Sequence, residues 1–345
     1  MFELLLSACL VGAPADCRTE RLPGAETLEE CRVQARRGAA GFSPLVQVQS
    51  FACVKAGETP DYTISEVAPG VFVHQGLHQE PDARNLGDVS NQGFVIGSEA
   101  VAVIDTGGSL VVGKALLAAI RAETDLPIRY VILTHMHPDH VMGTAAFADE
   151  GAEVIGHARM APALEDRSET YLEAMGRLIG PAFGGSEVVL PSREVAEELT
   201  LNLGGARDLV LQAHATAHTD NDLTVLDRTS GVLFAGDLAF LGHTPALDGS
   251  VLGWQKLLED AIAEPVGDWI VPGHGPVILS WEQGLTPTKA YLDLLIVELR
   301  AAIAAGLPML QAIREVGRGA EMDWLLFEEF HPRNVTAAFK ELEWE

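Results

Sequence analysis

Basic side chains are scarce in this sequence. It contains 23 lysine and arginine residues against 49 acidic ones, which gives a formal net charge of −26 over 345 residues, and it has no dense basic stripe. Binding to nucleic acids depends largely on neutralising phosphates with lysine and arginine, and anionic membrane surfaces attract the same side chains. The charge balance therefore argues against both partners and favours a small-molecule ligand.

Long apolar runs are missing as well. No stretch reaches the roughly 20 residues of a transmembrane helix, although 48% of the residues are apolar and can build a sizeable core. The apolar segment 2–11 precedes Ala13-Pro14-Ala15, which resembles a signal-peptide cleavage site, but no lysine or arginine comes before it. This segment is predicted either as an export signal or as the first strand of a small N-terminal domain.

Cysteine occurs only four times, at Cys9, Cys17, Cys31 and Cys53. An even set confined to a small unit predicts two disulfides and an oxidising compartment, with three pairings that the sequence leaves open. Buried free thiols are the alternative. A zinc site is disfavoured because no C-x-x-C spacing occurs.

Three domains are predicted from the order of the elements. Residues 1–57 form a small, disulfide-containing α+β unit, and residues 58–280 form the catalytic domain. The predicted elements of the first unit are a strand at 2–11, a strand at 17–22, a helix at 26–38 and a strand at 46–54. Residues 281–345 are a helical extension, with helices at 281–303 and 309–316, that either covers the catalytic domain or mediates a dimer.

Apolar runs alternate with amphipathic segments in the predicted catalytic domain. Short apolar runs predict buried strands at 71–74, 93–97, 100–105 and 129–134. A helix is predicted at 111–124, where Val112, Leu116 and Ile120 fall on one face. Such alternation indicates a layered α/β domain.

The densest chemical signal is the H-x-H-x-D-H motif at residues 135–140. Imidazole and carboxylate are the ligands that zinc and its neighbouring metals accept at neutral pH. On an extended strand His135 and His137 share a face and can bind one ion, and a turn at the following proline lets Asp139 and His140 reach a second position. Ordinary polar residues at a strand end are the alternative, which so dense a cluster disfavours.

Three further candidate ligands lie beside later apolar runs. His218 precedes one run, Asp237 ends another, and His274 follows a third. The predicted division is one ion held by His135, His137 and His218, a second held by Asp139, His140 and His274, and Asp237 with a hydroxide between them. A hydroxide shared by two ions about 3.5–4 Å apart is a strong nucleophile. The set therefore predicts hydrolytic chemistry.

Together these motifs resemble the metallo-β-lactamase superfamily over residues 62–280. The resemblance implies an αββα sandwich with zinc at one edge, and every metal position of the dinuclear pattern is filled in this sequence. It also implies that Asp105 orients the metal ligands by hydrogen bonds on the side that faces away from the metal.

A narrower resemblance, to the quinoprotein relay system zinc metallohydrolases, rests on segments spread along the chain. They are Ser90–Phe94, His218–Leu223, Leu247–Ser250 with Trp254, Arg333–Thr336 and Glu341–Glu345. Members of that family are associated with periplasmic quinone-cofactor dehydrogenases. The resemblance implies export to the periplasm and a functional link to a quinoprotein dehydrogenase, in agreement with disulfide formation.

The expected function is zinc-dependent hydrolysis of a small molecule, with two ions per chain. A bridging hydroxide would attack an ester, thioester, lactone or amide, with Asp237 at the bridge and Asp139 orienting the nucleophile. The alternatives are a metallo-β-lactamase proper, an iron-dependent oxidase or dioxygenase on the same scaffold, and a metal-binding accessory protein.

Other histidines are either pocket residues or structural ones. His74 and His78 flank a Gln-Gly turn, while His157 and His243 lie near predicted strand ends close to the expected metal edge, and each of the four either lines the substrate pocket or has a structural role. Tyr171, in the connecting segment 159–193, either contacts the substrate or belongs to a helix packed over the core, and the apolar spacing of the segment favours the helix. His214 and His331 are assigned to structure.

Overall fold

The computed structural model describes residues 2–10, 13–38, 46–55 and 62–345. Its first elements are β1 Phe2–Leu10, β2 Ala13–Ala25, α1 Leu28–Gly38 and β3 Val46–Lys55. The strands form an antiparallel sheet in the order β2-β1-β3. The predicted strands and helix of this segment are confirmed, although β2 is longer than expected. Residue 11 of the first predicted strand and the domain boundary after residue 57 lie outside the described residues.

A disulfide joins Cys31 of α1 to Cys53 of β3. Cys31 is fully buried and packs against Leu4. The fold thus selects one cysteine pairing among those left open by the sequence, because it brings α1 onto the sheet beside β3. The backbone register of β1 against β2 places Cys9 opposite Cys17.

Two larger sheets follow, and the first has seven strands. They are β4 Ile64–Ala68, β5 Val71–His74, β6 Gln92–Ile96, β7 Val101–Ile104, β8 Ile128–Ile132, β9 Glu153–His157 and β10 Arg193–Val195, in the spatial order β10-β9-β8-β7-β6-β5-β4. Strands β4 to β7 pair antiparallel, whereas β7 to β10 pair parallel. The helices that interrupt this sheet in sequence are α2 Leu110–Glu123, α3 Pro138–Val141 and α4 Met160–Ile179.

The second large sheet has six strands. They are β11 Glu198–Asn202, β12 Asp208–Ala213, β13 Leu223–Asp227, β14 Val232–Phe240, β15 Trp269–His274 and β16 Leu279–Ser280, in sequential order across the sheet. Only the β14–β15 pair is parallel. The later helices are α5 Val251–Ala263, α6 Trp281–Ala304, α7 Met309–Glu315 and α8 Phe327–Leu342.

The two sheets pack face to face through a shared apolar core. Val73 and Ile132 of the first sheet belong to the same buried cluster as Val225 and Phe234 of the second. Strands buried on both faces are rich in β-branched and aromatic residues, as their sequences here are. On the outer side of the first sheet, Leu116 of α2 joins a separate cluster with residues of β6, β7 and β8.

Helices α5, α6 and α8 cover the outer face of the second sheet. Trp254 of α5, Leu292 of α6 and Phe339 of α8 form one buried cluster with Leu233 of β14. The layers are therefore helix, sheet, sheet and helix, which confirms the predicted α/β sandwich with C-terminal helices. No helix in the described residues is long and apolar enough to cross a membrane.

Candidate metal centre

The H-x-H-x-D-H motif lies in the loop that follows β8 and in the helix after it. The expectation that His135 and His137 lie on an extended strand is wrong, since β8 ends at Ile132. His137 keeps an extended backbone, with φ −63° and ψ 144°, directly before Pro138 begins α3. A proline at the first helical position is favourable because it has no N–H to leave unpaired. The directions of the side chains in the motif are thus set by a loop and by the first turn of a helix.

The loop carrying His218 is joined to the motif by two hydrogen bonds, one accepted by a side chain and one by a backbone carbonyl. The Met136 N–H donates to Asn221 Oδ1 at 3.0 Å, and the Leu223 N–H donates to the carbonyl of Thr134 at 2.7 Å. These bonds bring His218 Nε2 to 3.0 Å from His137 Nδ1. Two histidines 81 positions apart in sequence therefore face one point.

Asp237 lies inside β14, so the expectation that it ends a strand is wrong. The strand continues to Phe240, and its pairing with β15 shifts register on both sides of Gly236, which has φ +52°. Such an irregularity re-aims the side chains of a strand. Across the pair, a Cβ at Gly273 would lie 1.9 Å from Asp237 Oδ1. The carboxylate occupies space that only a glycine leaves free.

The seven predicted ligands converge into two adjoining groups. One contains His135, His137, His218 and Asp237, and the other contains Asp139, His140 and His274; within each group the potential ligand atoms lie within 4.8 Å of one another. Asp237 adjoins both groups, with Oδ2 at 3.4 Å from His218 Nε2 and Oδ1 at 3.2 Å from His140 Nε2. This position between the groups is the one that a bridging carboxylate needs.

Several polar atoms of these groups lack hydrogen-bond partners. In the described part of the chain, His135 Nε2, His140 Nε2 and Asp237 Oδ1 are buried without one. Buried polar atoms are rarely left unsatisfied, because doing so costs their full desolvation energy. Metal cations would satisfy these atoms, and a set of imidazoles and carboxylates suits zinc and its first-row neighbours. The residues present therefore fit a metal centre.

Hydrogen bonds behind the rings orient the histidines. His140 Nδ1 donates to Asp105 Oδ2 at 2.8 Å, and Asp105 also accepts from the Thr134 N–H at 2.8 Å. His274 Nδ1 donates to a backbone carbonyl at 2.9 Å, and His218 Nδ1 donates to another at 2.6 Å. In each case the proton on Nδ1 leaves the lone pair of Nε2 facing the centre. Asp105 has the position that the sequence resemblance implies.

Without metal, burial and neighbouring charges give two of the candidate histidine ligands very different pKa values. Burial, together with the neighbouring His137, lowers the pKa of His218 to about 3. Burial also acts against the charged form of His274, but the carboxylates of Asp237 and Asp139 outweigh it and raise the pKa of His274 to about 9. Metal ligands must be deprotonated. Binding at the second group would therefore release protons.

A cavity of about 520 Å³ opens onto the centre. Asp139, Asp237 and His274 form its floor, and Tyr171 lies on the wall contributed by α4. His243 also lines it and stacks on His274, with ring centroids 4.6 Å apart.

The remaining histidines of the sequence prediction lie elsewhere. His78 and His157 do not line this cavity. His157 Nδ1 accepts a hydrogen bond from a backbone N–H, and His74 donates to Asp88 at 2.8 Å, which accounts for both rings structurally. His331 is buried and hydrogen-bonded to Tyr291.

Cavity residues outside the motifs were missed by sequence reasoning. Met175 and Leu178 of α4 and Phe330 and Arg333 of α8 line the same cavity. No local pattern marks them, because α8 begins almost 190 positions after the motif and reaches it only through tertiary packing. The ending Arg333–Thr336 was singled out in the sequence only as part of a family resemblance.

Comparison with known proteins agrees with this architecture. The model of the metallo-beta-lactamase superfamily matches residues 86–277, more than half of the chain. Among solved structures, TMB-1 is similar with a TM-score of 0.52 and 22% identity, covering 67% of this chain and 97% of that one. The metallo-beta-lactamase of Pontibacter korlensis has a TM-score of 0.54 and 20% identity, covering 67% and 99%. At sequence identities this low, the structural similarity shows only that the fold is shared.

One curated relative matches over a shorter region. The linear primary-alkylsulfatase of Pseudomonas sp. (strain ATCC 19151) is 33% identical over 113 residues, which is 31% of this chain and 20% of that protein. The chain thus matches about a fifth of the length of this relative.

The fold and site define a metal-dependent hydrolase of the αββα type. The chain belongs to the metallo-beta-lactamase superfamily. This confirms the superfamily, the fold class and the enzyme class predicted from the motifs. The domain boundaries, the ligand roles of individual residues, export to the periplasm, the quinoprotein link and a dimer stay predictions.

Proposed function

We propose that the protein hydrolyses a small molecule with two zinc ions held by the two ligand groups. The observation that carries the proposal is the place of Asp237 between the groups, with Oδ2 at 3.4 Å from His218 Nε2 and 3.5 Å from His274 Nε2, and Oδ1 at 3.2 Å from His140 Nε2. When bound, a zinc pair supplies an acidified water as nucleophile and positive charge beside the reacting bond.

The residues around this position have separable roles. Asp139 lines the cavity and its Oδ2 lies 3.3 Å from His274 Nε2, so its carboxylate can orient the attacking water and accept its proton. His243 Nδ1 donates to the carbonyl of Thr244 at 2.7 Å, which leaves its Nε2 as an acceptor for a donor group of the substrate. Apolar side chains of α4 and α8, Met175, Leu178 and Phe330, line the same cavity.

Metal analysis combined with a substrate panel tests this proposal. Protein purified without added metal is expected to contain two zinc ions per chain and to hydrolyse at least one ester, thioester, lactone or amide. Nitrocefin turnover would instead identify a β-lactamase proper. Iron with oxygen consumption would contradict the proposal in favour of an oxidase, and metal without any turnover would favour an accessory protein.

Hydrolysis of a sulfate ester is a second candidate. The local match to an alkylsulfatase motivates it, and the cavity combines a polar floor with Met175 and Leu178 on its wall, which suits an apolar chain ending in a charged ester. Release of sulfate from a primary alkyl sulfate, measured beside the carbonyl substrates, decides between the two. Absence of sulfate release excludes this candidate.

Arg333 is expected to favour substrates with an anionic group. Among the described residues that line the cavity it is the only lysine or arginine, and its guanidinium lies 5.9 Å from the centroid of the Phe330 ring. We predict that Arg333→Ala raises KM for an anionic substrate about fivefold, in line with an exposed charge contact of roughly 1 kcal/mol, and leaves KM for its neutral analogue unchanged. Lys340→Ala, also exposed on α8, is the matched control. Equal changes for both substrates would refute the charge effect.

The disulfide between Cys31 and Cys53 supports an oxidising compartment as part of the proposal. Disulfides persist mainly in exported proteins. Fractionation of the source cells would place the protein with periplasmic or with cytoplasmic markers, and the latter would remove this part. The association with a quinoprotein dehydrogenase rests on the sequence resemblance.

A further inference from the structure

We propose that Asn334, on the C-terminal helix α8, is a positioning residue for the metal ligand His218. The inference rests on the proposed metal centre and adds a residue that lies outside the 86–277 segment matched by the superfamily. Asn334 is 1% exposed and approaches the loop between β14 and α5. It also lines the cavity, and it would act on His218 through that loop.

The side-chain amide of Asn334 clamps the backbone on both sides of Ala246. Its Nδ2 donates to the carbonyl of Pro245 at 2.6 Å, and its Oδ1 accepts from the Leu247 N–H at 3.0 Å. The carbonyl between these two anchors, that of Ala246, accepts from His218 Nδ1 at 2.6 Å. The clamp therefore holds the carbonyl that accepts the hydrogen bond from the His218 ring.

A second line of hydrogen bonds continues from the amide to Tyr291 and His331. The Tyr291 hydroxyl accepts from Asn334 Nδ2 at 2.9 Å and donates to His331 Nδ1 at 2.8 Å, because His331 Nε2 carries its proton toward the carbonyl of Val316 at 2.8 Å. Every donor in this series of hydrogen bonds meets an acceptor. A flipped amide would place N–H against N–H at Leu247, so only one orientation is satisfied.

The geometry of the first ligand group depends on this orientation. His218 Nε2 lies 3.0 Å from His137 Nδ1 and 3.4 Å from Asp237 Oδ2. If the carbonyl of Ala246 moves, the ring can rotate and withdraw Nε2 from that point. Loss of the hydrogen-bond partner behind a metal-bound histidine typically lowers metal affinity about 10- to 100-fold. Helix α8 would thus belong to the metal centre as well as to the cavity wall.

Metal-binding measurements on Asn334→Ala and Asn334→Asp test the clamp. Zinc affinities would be determined by competition with a chromophoric chelator, and the ligand geometry would be followed by the absorption spectrum of the cobalt-substituted protein. Asn334→Ala should lose about tenfold in affinity for one of the two ions, with an altered cobalt spectrum. Asn334→Asp has the same size and keeps the acceptor for Leu247, but it places a carboxylate oxygen against the carbonyl of Pro245, two acceptors without a proton between them, so it should break that half of the clamp and change the affinity in the same direction.

Tyr291→Phe is the matched control. It removes a hydroxyl from the same buried chain but leaves both bonds of the clamp in place. We expect it to lower the unfolding temperature while zinc affinity and the cobalt spectrum stay those of the unaltered protein.

Three results would overturn the clamp or its basis, and they are distinguishable. Wild-type affinity and spectrum in both Asn334 variants would refute the clamp and leave the proposed function standing. An equal loss of affinity in Tyr291→Phe would show a general effect of destabilising α8. Unaltered protein that binds no metal would refute the proposed function itself. If Asn334→Ala does not fold, Asn334→Asp decides.

Discussion

Replacing Asp237 with alanine is expected to lower bound metal and hydrolysis together. The carboxylate is buried, adjoins both ligand groups and has an oxygen without a partner among the described residues. Its removal takes the shared carboxylate oxygens from both groups. It also removes the negative charge that lies between them. Because a pair of ions at the proposed centre would contribute several kcal/mol to the transition state, we expect kcat/KM to fall about a thousandfold or more. Metal content by elemental analysis and turnover of the best panel substrate would measure both effects.

Asp227→Asn is the matched control for the loss of a buried aspartate. Asp227 is equally buried, but it is the last residue of β13, whereas the loop with His218 precedes the first. It pairs with Arg207 at 2.6 Å. Its replacement should lower the free energy of unfolding, since breaking a buried ion pair is costly, and leave the metal content unchanged. An Asp237→Ala variant that retained two ions and full turnover would show that Asp237 does not bridge them.

Gly273→Ala is expected to damage the centre without removing any ligand. The added Cβ would lie 1.9 Å from Asp237 Oδ1, far inside the roughly 3.5 Å of a normal contact. It would also lie 2.8 Å from the backbone carbon of Gly236, so a rotation of the Asp237 side chain alone cannot relieve the overlap. Displacing a catalytic group by about 1 Å can cost about a hundredfold in rate, and overpacking costs about 1–3 kcal/mol of stability. Turnover, metal content and thermal unfolding would be measured together.

Gly319→Ala gives the matched comparison for adding one methyl group. Among the described residues no atom lies within 4 Å of a Cβ at this position, so activity and unfolding should be unchanged. If Gly273→Ala had wild-type turnover and zinc content, the close approach of β15 to Asp237 would not limit the site.

The residues that meet in the candidate metal centre could be picked out from the sequence because their chemistry is concentrated locally. Three histidines and an aspartate within six positions leave few roles other than metal binding, and His218 and His274 were found beside apolar runs. The local geometry was predicted less well. Periodicity does not show where a strand stops, so His135 and His137 were placed on β8, which ends before them. Nor does it show a register shift, so Asp237 was placed at the end of a strand that continues past it.

Residues that act through tertiary contacts could not be found in this way. Asn334 meets Pro245 and Leu247 across 89 and 87 positions. A single asparagine in an amphipathic helix carries no signal of such contacts. Arg333, one position earlier, lines the cavity, and no local sequence pattern marks that contact either. The pairing of Cys31 with Cys53 likewise depends on how α1 lies on its sheet.

The sequence by itself determined the layered α/β architecture, the superfamily and the enzyme class of this protein, and it named the candidate ligand residues. These follow from residue identity and short-range periodicity, which are local properties. The tertiary structure alone decided where the ligand atoms meet, which residues hold them in orientation, and which walls enclose the substrate. Those depend on packing between segments far apart in the chain, because the burial that fixes them exists only after the sheets and helices have come together.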